Sequence, residues 1–205
     1  MRLTEKVHNY LEEHLQPGDL AIDATAGNGH DCLKIAQLIA PNGRLIAVDR
    51  QCAAITASRH RLSTHKLQHL CEWIEGDHGE ALQALGQRYP GQASAIVFNL
   101  GYLPGGDKSI QTEVATTQTA LKACTALLKP SGILLVTAYR GHPGGMAEAE
   151  AVAQWMHAYT GLVQCHEPEK NAESTPPILW VAKALELDPN ESSAAPDNRL
   201  PPGEK

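Results

Sequence analysis

The sequence predicts an α/β fold, in which a mostly parallel sheet of seven strands carries helices on both faces. Short apolar runs that suit buried strands alternate along the chain with segments whose apolar residues recur at helical spacing. Loops rich in glycine follow several of these runs, as they do in α/β folds that bind a ligand at the ends of their strands. With 205 residues, of which 42% are hydrophobic, the chain has the size and composition of one globular domain.

The predicted helices and strands follow one another in order. The opening helix, residues 4–14, is predicted because Val7, Leu11 and Leu15 recur at helical spacing, and Pro-Gly-Asp at 17–19 ends it. Apolar runs predict strands at residues 20–24, 45–49, 71–75, 95–99, 133–137, 162–166 and 178–184. Helices are predicted between them after Asp31, over 52–63, around 81–85, over 114–128 and around 152–159. Asp31 is the predicted capping residue of the first of these, and Pro130-Ser131-Gly132 ends the helix over 114–128.

We expect one domain over residues 1–187 and a disordered tail over 188–205, because the tail is mostly proline, serine, asparagine and charged residues. The polar segment 167–177 is predicted to be a surface loop. No apolar run approaches the ~18 residues that a membrane span needs, and the start of the chain lacks the apolar core of a secretory signal. Five cysteines without a CxxC pair are typical of reduced thiols in a cytoplasmic protein. We therefore expect a cytoplasmic location, no disulfide framework and no metal site.

The charge of the chain limits how it can meet nucleic acid. A net charge of −6, with histidine neutral, argues against a protein that coats nucleic acid nonspecifically. It leaves room for a local basic face, and one segment has the composition for it: Arg59, His60, Arg61, His65, Lys66 and His69. Contact with RNA and a solvated helix face explain this cluster equally well.

The loop after the first strand, Asp-Ala-Thr-Ala-Gly-Asn-Gly at 23–29, is predicted to bind a cofactor, because it joins the carboxyl end of a strand to a helix. Asp49 ends the second strand, where a carboxylate accepts hydrogen bonds from ribose hydroxyls, and Asp77 follows the third strand beside the same cleft. A tight turn that merely requires glycine is the structural alternative. The predicted cofactor-binding residues are Asp23, Ala24, Thr25, Gly27, Asn28, Gly29, Asp31, Asp49, Arg50, Asp77, His78 and Asn99.

The spacing around the glycines favours S-adenosylmethionine over a dinucleotide. A dinucleotide fingerprint, G-x-G-x-x-G/A, needs a third small residue for close helix packing, and Cys32 stands at that position. S-adenosylmethionine has no phosphate; we expect its amino acid end near Asp23, its ribose at Asp49 and its adenine near Asp77 and His78. Seven strands with a late hairpin-like pair also suit a Rossmann-like class I methyltransferase better than a dehydrogenase. The absence of a P-loop lysine motif argues against nucleotide hydrolysis.

Residues 99–102, Asn-Leu-Gly-Tyr, follow the fourth strand and are predicted to lie beside the transferred methyl group. The side-chain oxygen of Asn99 and the next backbone carbonyl can accept the hydrogens of an amine, so that the amine lone pair points at the methyl. Tyr102 can stack on a flat substrate such as a base. The segment looks like the N-P-P-Y/F motif of amino methyltransferases, with Leu-Gly in place of two stiffening prolines. Alternatively, Asn99 caps the strand end and Tyr102 packs.

Charged residues in two further loops are candidates for contact with the substrate. Asp107 can take a proton and Lys108 can meet a phosphate, while the glycine-rich loop 139–145 contains Arg140 and His142 and suits a polyanionic or planar substrate. Ordinary solvation on a mobile loop is the alternative for each. The residues predicted to be catalytic are Asn99, Tyr102, Asp107 and His142, and those predicted to bind RNA are Tyr102, Lys108, Arg140 and His142.

Three segments, 23–31, 98–108 and 141–145, the last followed by Glu148 and Val152, closely resemble a family of bacterial class I methyltransferases once labelled "putative rRNA methylase". The resemblance implies a Rossmann-like fold, a homodimer, and S-adenosylmethionine as methyl donor with S-adenosylhomocysteine as product. It implies transfer of one methyl group to the amine of 5-aminomethyl-2-thiouridine at the tRNA wobble position, and thus contact with the anticodon loop. An alkylammonium must lose its proton before it attacks, and Asp107 and His142 are the candidate bases.

Other functions stay open on the residues alone. A methyltransferase of this kind could act on ribosomal RNA, a protein or a small-molecule amine. A dinucleotide-dependent oxidoreductase is disfavoured by Cys32 and by the lack of an evident hydride-transfer residue. A noncatalytic partner subunit with the same fold is disfavoured by the residues it would not need to keep: Asp23, Gly27, Gly29, Asp49 and Asn99.

Overall fold

A computed structural model describes residues 2–107, 109–166 and 175–185. Its strands are β1 (Leu20–Asp23), β2 (Arg44–Asp49), β3 (Cys71–Glu75), β4 (Ala93–Leu100), β5 (Leu128–Ala138), β6 (Leu162–His166) and β7 (Ile178–Lys183). Its α-helices are α1 (Leu3–His14), α2 (His30–Ile39), α3 (Cys52–Thr64), α4 (His78–Arg88), α5 (Val114–Leu127) and α6 (Gly145–Ala158). A short 3-10 helix, Gln68–Leu70, precedes β3.

The strands form one sheet in the order β3-β2-β1-β4-β5-β7-β6. The first five strands in this order are parallel, and β7 is antiparallel to both β5 and β6. The neighbours of β1 are β2 on one side and β4 on the other, so the strand order reverses at β1 and leaves a crevice at its carboxyl end. The predicted seven-stranded, mostly parallel sheet is confirmed.

Alternate side chains of the central strands bury against helices on opposite faces of the sheet. Ile22 and Phe98 belong to the core under α4, α5 and α6, whereas Ala21 and Val97 belong to the core under α1, α2 and α3. All four side chains are fully buried. Parallel strands that are covered on both faces are apolar throughout, which is why these strands could be predicted from unbroken apolar runs.

The start of β5 differs from the prediction. Pro130-Ser131-Gly132 was predicted to end the helix, with the strand following at 133–137, but β5 already begins at Leu128. Ala93 pairs with Leu128 and Ala95 with Ile133, so the extra residues on β5 form a bulge in the ladder. Ser131 has φ 61° in this bulge. The predicted end of the helix is close to the observed one, since α5 ends at Leu127, but residues 130–132 lie within β5 rather than before it.

The prediction that Asp31 caps α2 is also wrong, because Gly29 is the N-cap residue and Asp31 lies in the first turn. The expected tail at 188–205, the domain end at 187 and most of the expected loop at 167–177 lie outside the described residues. Within the described parts of the chain, none of the helices is long and apolar enough to cross a bilayer.

Candidate active site

An open cleft with an empty volume of about 520 Å³ lies at the carboxyl ends of β1, β2 and β4. This is the crevice at which the strand order reverses, where open α/β sheets bind their ligands. Of the predicted residues, Ala24, Thr25, Gly27, Asp49, Arg50, Asn99 and Tyr102 line the cleft. The other lining residues, which the sequence did not single out as site residues, are Gln51, Gly101, Leu103, Pro104, Ile110, Gln111 and Thr112.

Asp49 holds the glycine-rich loop against the end of β2. Its Oδ2 accepts a hydrogen bond from the backbone N–H of Gly27 at 2.9 Å, and its Oδ1 accepts one from the N–H of Gln51 at 2.9 Å. Burial raises the pKa of the Asp49 carboxyl, although both hydrogen bonds act to lower it. A half-buried carboxylate at this point in the cleft has the position expected for a ribose-binding acid.

Gly29 shows why this loop needs glycine even before a cofactor is considered. It has φ 76°, a left-handed conformation, and a Cβ at this position would lie 2.6 Å from the backbone Cα of Ser58. The loop and α3 approach each other closely, and the Ser58 hydroxyl donates a hydrogen bond to the carbonyl of Gly27 at 2.9 Å. The close packing of the loop against α3 therefore requires glycine at position 29, in addition to the predicted contact with a cofactor.

Asp23 lies beneath the loop at the end of β1 and is 1% exposed. Its carboxylate accepts hydrogen bonds from the N–H of Thr25 at 3.2 Å and from the thiol of Cys32 at 3.1 Å. Burial and the nearby charge of Asp31 raise the pKa of Asp23 to about 7. Cys32, the residue that breaks the dinucleotide fingerprint, thus serves as a hydrogen-bond donor to this carboxylate.

Asn99 is held at the end of β4 by two hydrogen bonds. Its backbone N–H donates to the hydroxyl oxygen of Thr25 at 2.7 Å, and its side-chain Nδ2 donates to Oδ2 of Asp31 at 2.8 Å. The other oxygen of Asp31 lies 2.7 Å from Nε2 of His8, on α1. His8 was not singled out from the sequence, because a lone histidine on an amphipathic helix carries no signal of a contact with a residue so distant along the chain.

The loop that follows Asn99 lacks the two prolines of the amine-methylating motif and is stiffened by hydrogen bonds instead. Tyr102 pairs with Gln111 in an isolated β-bridge, and the N–H of Thr112 donates to the carbonyl of Gly101 at 2.8 Å. The hydroxyl of Thr112 donates to Glu148, on α6, at 2.7 Å. Glu148 is 2% exposed and also accepts a hydrogen bond from Thr117 at 2.6 Å, so a buried carboxylate anchors the loop.

His142 packs edge-on against Tyr102, with 5.9 Å between the ring centroids. Its Nδ1 lies 3.1 Å from the side-chain oxygen of Gln111 and 3.0 Å from the carbonyl of Pro143. Both neighbours are acceptors, so Nδ1 carries a proton, and Nε2 is the ring nitrogen that can accept one. Nε2 is buried and has no hydrogen-bond partner in the described part of the chain.

Three of the predicted substrate residues, Asp107, Arg140 and His142, are not among the residues that line the cleft. Asp107 accepts hydrogen bonds from the hydroxyl (2.7 Å) and N–H (2.8 Å) of Ser109, which hold its pKa below the ordinary value, so Asp107 is a poor proton acceptor. Arg140 donates from two nitrogens to the carbonyl of Pro176, at 2.9 and 2.7 Å, and so tethers the segment before β7. Lys108 lies outside the described residues.

The residues expected near an adenine have structural partners of their own. Asp77 caps α4 by accepting a hydrogen bond from the N–H of Gly79 at 2.7 Å, and its Oδ2 lies 4.0 Å from Nε of Arg50. His78 is 3% exposed, lies edge-on to Phe98, and has its pKa lowered by burial. Asn28 donates to the carbonyl of Pro104 at 3.3 Å across the mouth of the cleft. Among the described residues, no group of three or more potential ligands is placed to hold a metal ion.

Known proteins resemble this chain in sequence. The family model described as "Putative rRNA methylase" matches residues 45–183. A curated relative from Arabidopsis thaliana, "tRNA (mnm(5)s(2)U34)-methyltransferase, chloroplastic", is 37% identical over 167 residues. That match covers 74% of this chain but only 57% of the plant protein, so the chain spans little more than half the length of this relative.

Two solved structures resemble this chain in both sequence and fold. A protein from Clostridium thermocellum described as "putative rRNA-methylase" is 33% identical, with a TM-score of 0.81 over 88% of this chain and 96% of the other. A "putative methyltransferase" from Streptococcus mutans, solved in complex with SAH, is 30% identical, with a TM-score of 0.78 over 90% of this chain and 99% of the other. The resemblance inferred from the sequence is confirmed: the chain belongs to the "Putative rRNA methylase" family, a family of class I, S-adenosylmethionine-dependent methyltransferases.

Proposed function

We propose that the protein transfers a methyl group from S-adenosylmethionine to RNA, at the primary amine of 5-aminomethyl-2-thiouridine in the tRNA wobble position. The observation that carries the proposal is the hydrogen bond of Asn99, at the end of β4. Its amide N–H₂ donates to Asp31. Asn99 thus turns its amide oxygen, rather than its amide hydrogens, to the substrate. An amine is the acceptor that needs this arrangement, because it brings N–H donors and attacks with its lone pair.

The cleft has the shape and chemistry for S-adenosylmethionine, which supplies an electrophilic methyl group when bound. Asp49 would hold the ribose hydroxyls, and the 27–29 loop, with the buried Asp23 beneath it, would lie against the amino acid end. The Streptococcus mutans relative, solved with the product-like ligand SAH, supports this assignment.

The reaction asks the protein to orient an amine and to accept a proton. As the nitrogen–carbon bond forms and the sulfur–carbon bond breaks, the nitrogen lone pair becomes the new bond and one proton leaves the amine. Asn99 accepts an amine hydrogen and aims the lone pair. Nε2 of His142, a buried lone pair without a partner in the described residues, is the better of the two proposed proton acceptors, because Asp107 is occupied by Ser109.

Two surfaces near the cleft suit RNA. Tyr102 and Tyr139 are 38% and 42% exposed at its rim, where a base that has left its stack can lie against an aromatic ring. On the other side of the 27–29 loop, residues 50–71 contain Arg and Lys but no Asp or Glu. In a chain with a net charge of −6, the proposal assigns contact with phosphates to this stretch.

The experiment uses purified protein, isotopically labelled S-adenosylmethionine and two tRNA pools. One pool carries 5-aminomethyl-2-thiouridine and the other comes from cells that cannot make it; digested nucleosides are then identified by mass. We expect label only in the first pool, as the methylaminomethyl nucleoside. Label in neither pool, with S-adenosylhomocysteine binding intact by calorimetry, refutes the wobble-uridine assignment, and label in both pools refutes the amine as acceptor.

The proposal includes a homodimer, which the family resemblance implies, and a cytoplasmic location, which the cysteine content favours. Light scattering during size-exclusion chromatography measures the first: a mass near twice 22.1 kDa is expected for the chain. A mass near that of one chain at assay concentration contradicts the dimer without touching the proposed reaction.

A further inference from the structure

A hydrogen-bonded chain of three side chains leads from the surface of α1 to the reaction site. Nε2 of His8 lies 2.7 Å from Oδ1 of Asp31, and Oδ2 of Asp31 accepts the hydrogen bond from Nδ2 of Asn99 at 2.8 Å. The His8 side chain is 27% exposed and that of Asp31 is 10% exposed, so the chain runs from solvent into the protein. Of the three residues, Asn99 lines the cleft.

We propose that Asp31 and His8 are positioning residues for Asn99: they set the amide so that its oxygen faces the amine acceptor. The inference rests on the proposed function, because it concerns how the acceptor amine is oriented. Asp31 was predicted from the sequence to bind the cofactor, whereas here it acts on the acceptor side, through Asn99.

The chemistry of the carboxylate makes the orientation of the amide unambiguous. An ionised carboxylate only accepts hydrogen bonds, so the group of Asn99 that faces Asp31 must be the N–H₂ and not the oxygen. Without Asp31, the amide can rotate by half a turn about its terminal torsion at little cost. The flipped amide would present N–H₂ to the amine and donate a hydrogen bond to its lone pair, which is then not available to attack the methyl group.

His8 completes the arrangement by holding Asp31 itself. It lies on α1 beside Val7, and Val7 and Leu11 are both buried against the sheet, so the imidazole is carried by an anchored helix. A carboxylate that receives a donor on each oxygen has its plane set from both sides. Loss of the His8 donor frees one side only, and we therefore expect a smaller effect than loss of Asp31.

The test compares alanine variants with variants that keep the hydrogen bonds. We expect Asp31→Ala to lower kcat about 100-fold, because misplacing a reacting group by about 1 Å lowers the rate by about that factor. We expect His8→Ala to lower kcat less, about tenfold, because Asp31 is then freed on one side only. The kcat of Asp31→Asn should stay within about fivefold of wild type, because the new amide can accept from Asn99 and can donate to or accept from His8. The kcat of His8→Gln should stay within the same range, because the glutamine amide can donate to Asp31. Binding of S-adenosylhomocysteine, measured by calorimetry, should stay within about threefold for all four variants. The control is His14→Ala on the same helix, where the imidazole bonds only the carbonyl of Tyr10 in the described structure and kcat should not change.

A spectroscopic readout keeps the inference independent of the RNA substrate. The side-chain N–H₂ resonances of Asn99, assigned in a ¹⁵N spectrum by their loss in Asn99→Ser, should be displaced in wild type and return to the position of a solvated asparagine in Asp31→Ala. Unshifted resonances in Asp31→Ala overturn the inference even if no methyl acceptor has been found. So does a dissociation constant for S-adenosylhomocysteine that rises by the same factor as kcat/KM falls, because Asp31 is then a cofactor-binding residue. A wild-type protein that fails to methylate the wobble nucleoside refutes the proposed function alone.

Discussion

Replacement of Gly29 by alanine tests whether the loop under the cofactor site needs glycine for its own packing. A non-glycine residue with a left-handed backbone costs about 1–2 kcal/mol of folding free energy. At Gly29 the new Cβ would also lie 2.6 Å from the Cα of Ser58, a backbone atom that cannot rotate away. Overpacking of this kind costs a further ~1–3 kcal/mol. We therefore expect Gly29→Ala to lower the free energy of unfolding by about 2–5 kcal/mol.

Gly91→Ala is the matched control. Gly91 has φ 64°, also left-handed, but a Cβ there would meet nothing within 4 Å. Its substitution should show the backbone cost alone, about 1–2 kcal/mol. In thermal unfolding, where about 2–4 °C corresponds to 1 kcal/mol for a domain of this size, the Tm of Gly29→Ala should fall below that of Gly91→Ala.

The assay is urea denaturation of both variants, followed by calorimetric titration with S-adenosylhomocysteine. Gly29→Ala should also bind the ligand more weakly, because the loop must move away from α3 to relieve the contact, whereas Gly91→Ala should bind as wild type does. Equal destabilisation by the two substitutions would refute the reasoning, since the close approach to Ser58 would then carry no cost.

Three further outcomes follow from the site. Because the pKa of Asp23 is raised to about 7, ionisation of this buried acid weakens the fold as pH rises from about 4 to 7. In urea titrations, Asp23→Asn should therefore gain stability relative to wild type between about pH 5 and pH 8. A stability difference between the two proteins that does not change with pH contradicts this. Thr112→Val should cost about 1.5–3 kcal/mol by leaving Glu148 short of a donor, while Thr112→Ser, which keeps the hydroxyl, should cost far less in the same assay. Arg59→Ala with Lys66→Ala should reduce the slope of log affinity for tRNA against log salt by about 1–2, and Lys122→Ala on the opposite layer should leave the slope unchanged.

The strands and the cofactor loop could be predicted because they obey local rules. Buried parallel strands require apolar runs, and a loop that turns sharply before a helix requires glycine, so the carboxyl end of β1 was recognisable with no knowledge of its neighbours. Asp49 and Asn99 could be placed at the cleft because strand ends of a parallel sheet meet at one edge. These features are determined within a few residues of the position concerned.

The errors arose where a distant part of the chain decides the outcome. Asp31 has the composition of a helix cap, but its carboxylate is shared between α1 and β4, and only the packed fold brings His8 and Asn99 to it. Arg140, which stays a predicted RNA-binding residue, has a further contact that the sequence did not indicate, because it donates to the carbonyl of Pro176 just before β7. No local pattern marks either contact, since each joins elements that are far apart along the chain.

Hydrogen bonds in place of prolines give the loop after β4 a distinct mechanical character. A proline keeps its backbone angle whatever surrounds it, whereas a hydrogen bond can be exchanged for one with a ligand. Gln111 pairs with Tyr102 and also bonds His142 and the carbonyl of Pro143, so it joins the loop after β4 to the loop after β5. The bridge to Tyr102 is a backbone contact, whereas the bonds to His142 and Pro143 are made by the Gln111 side chain. A ligand that engages this side chain would therefore loosen the loop after β5 and leave the loop after β4 bridged.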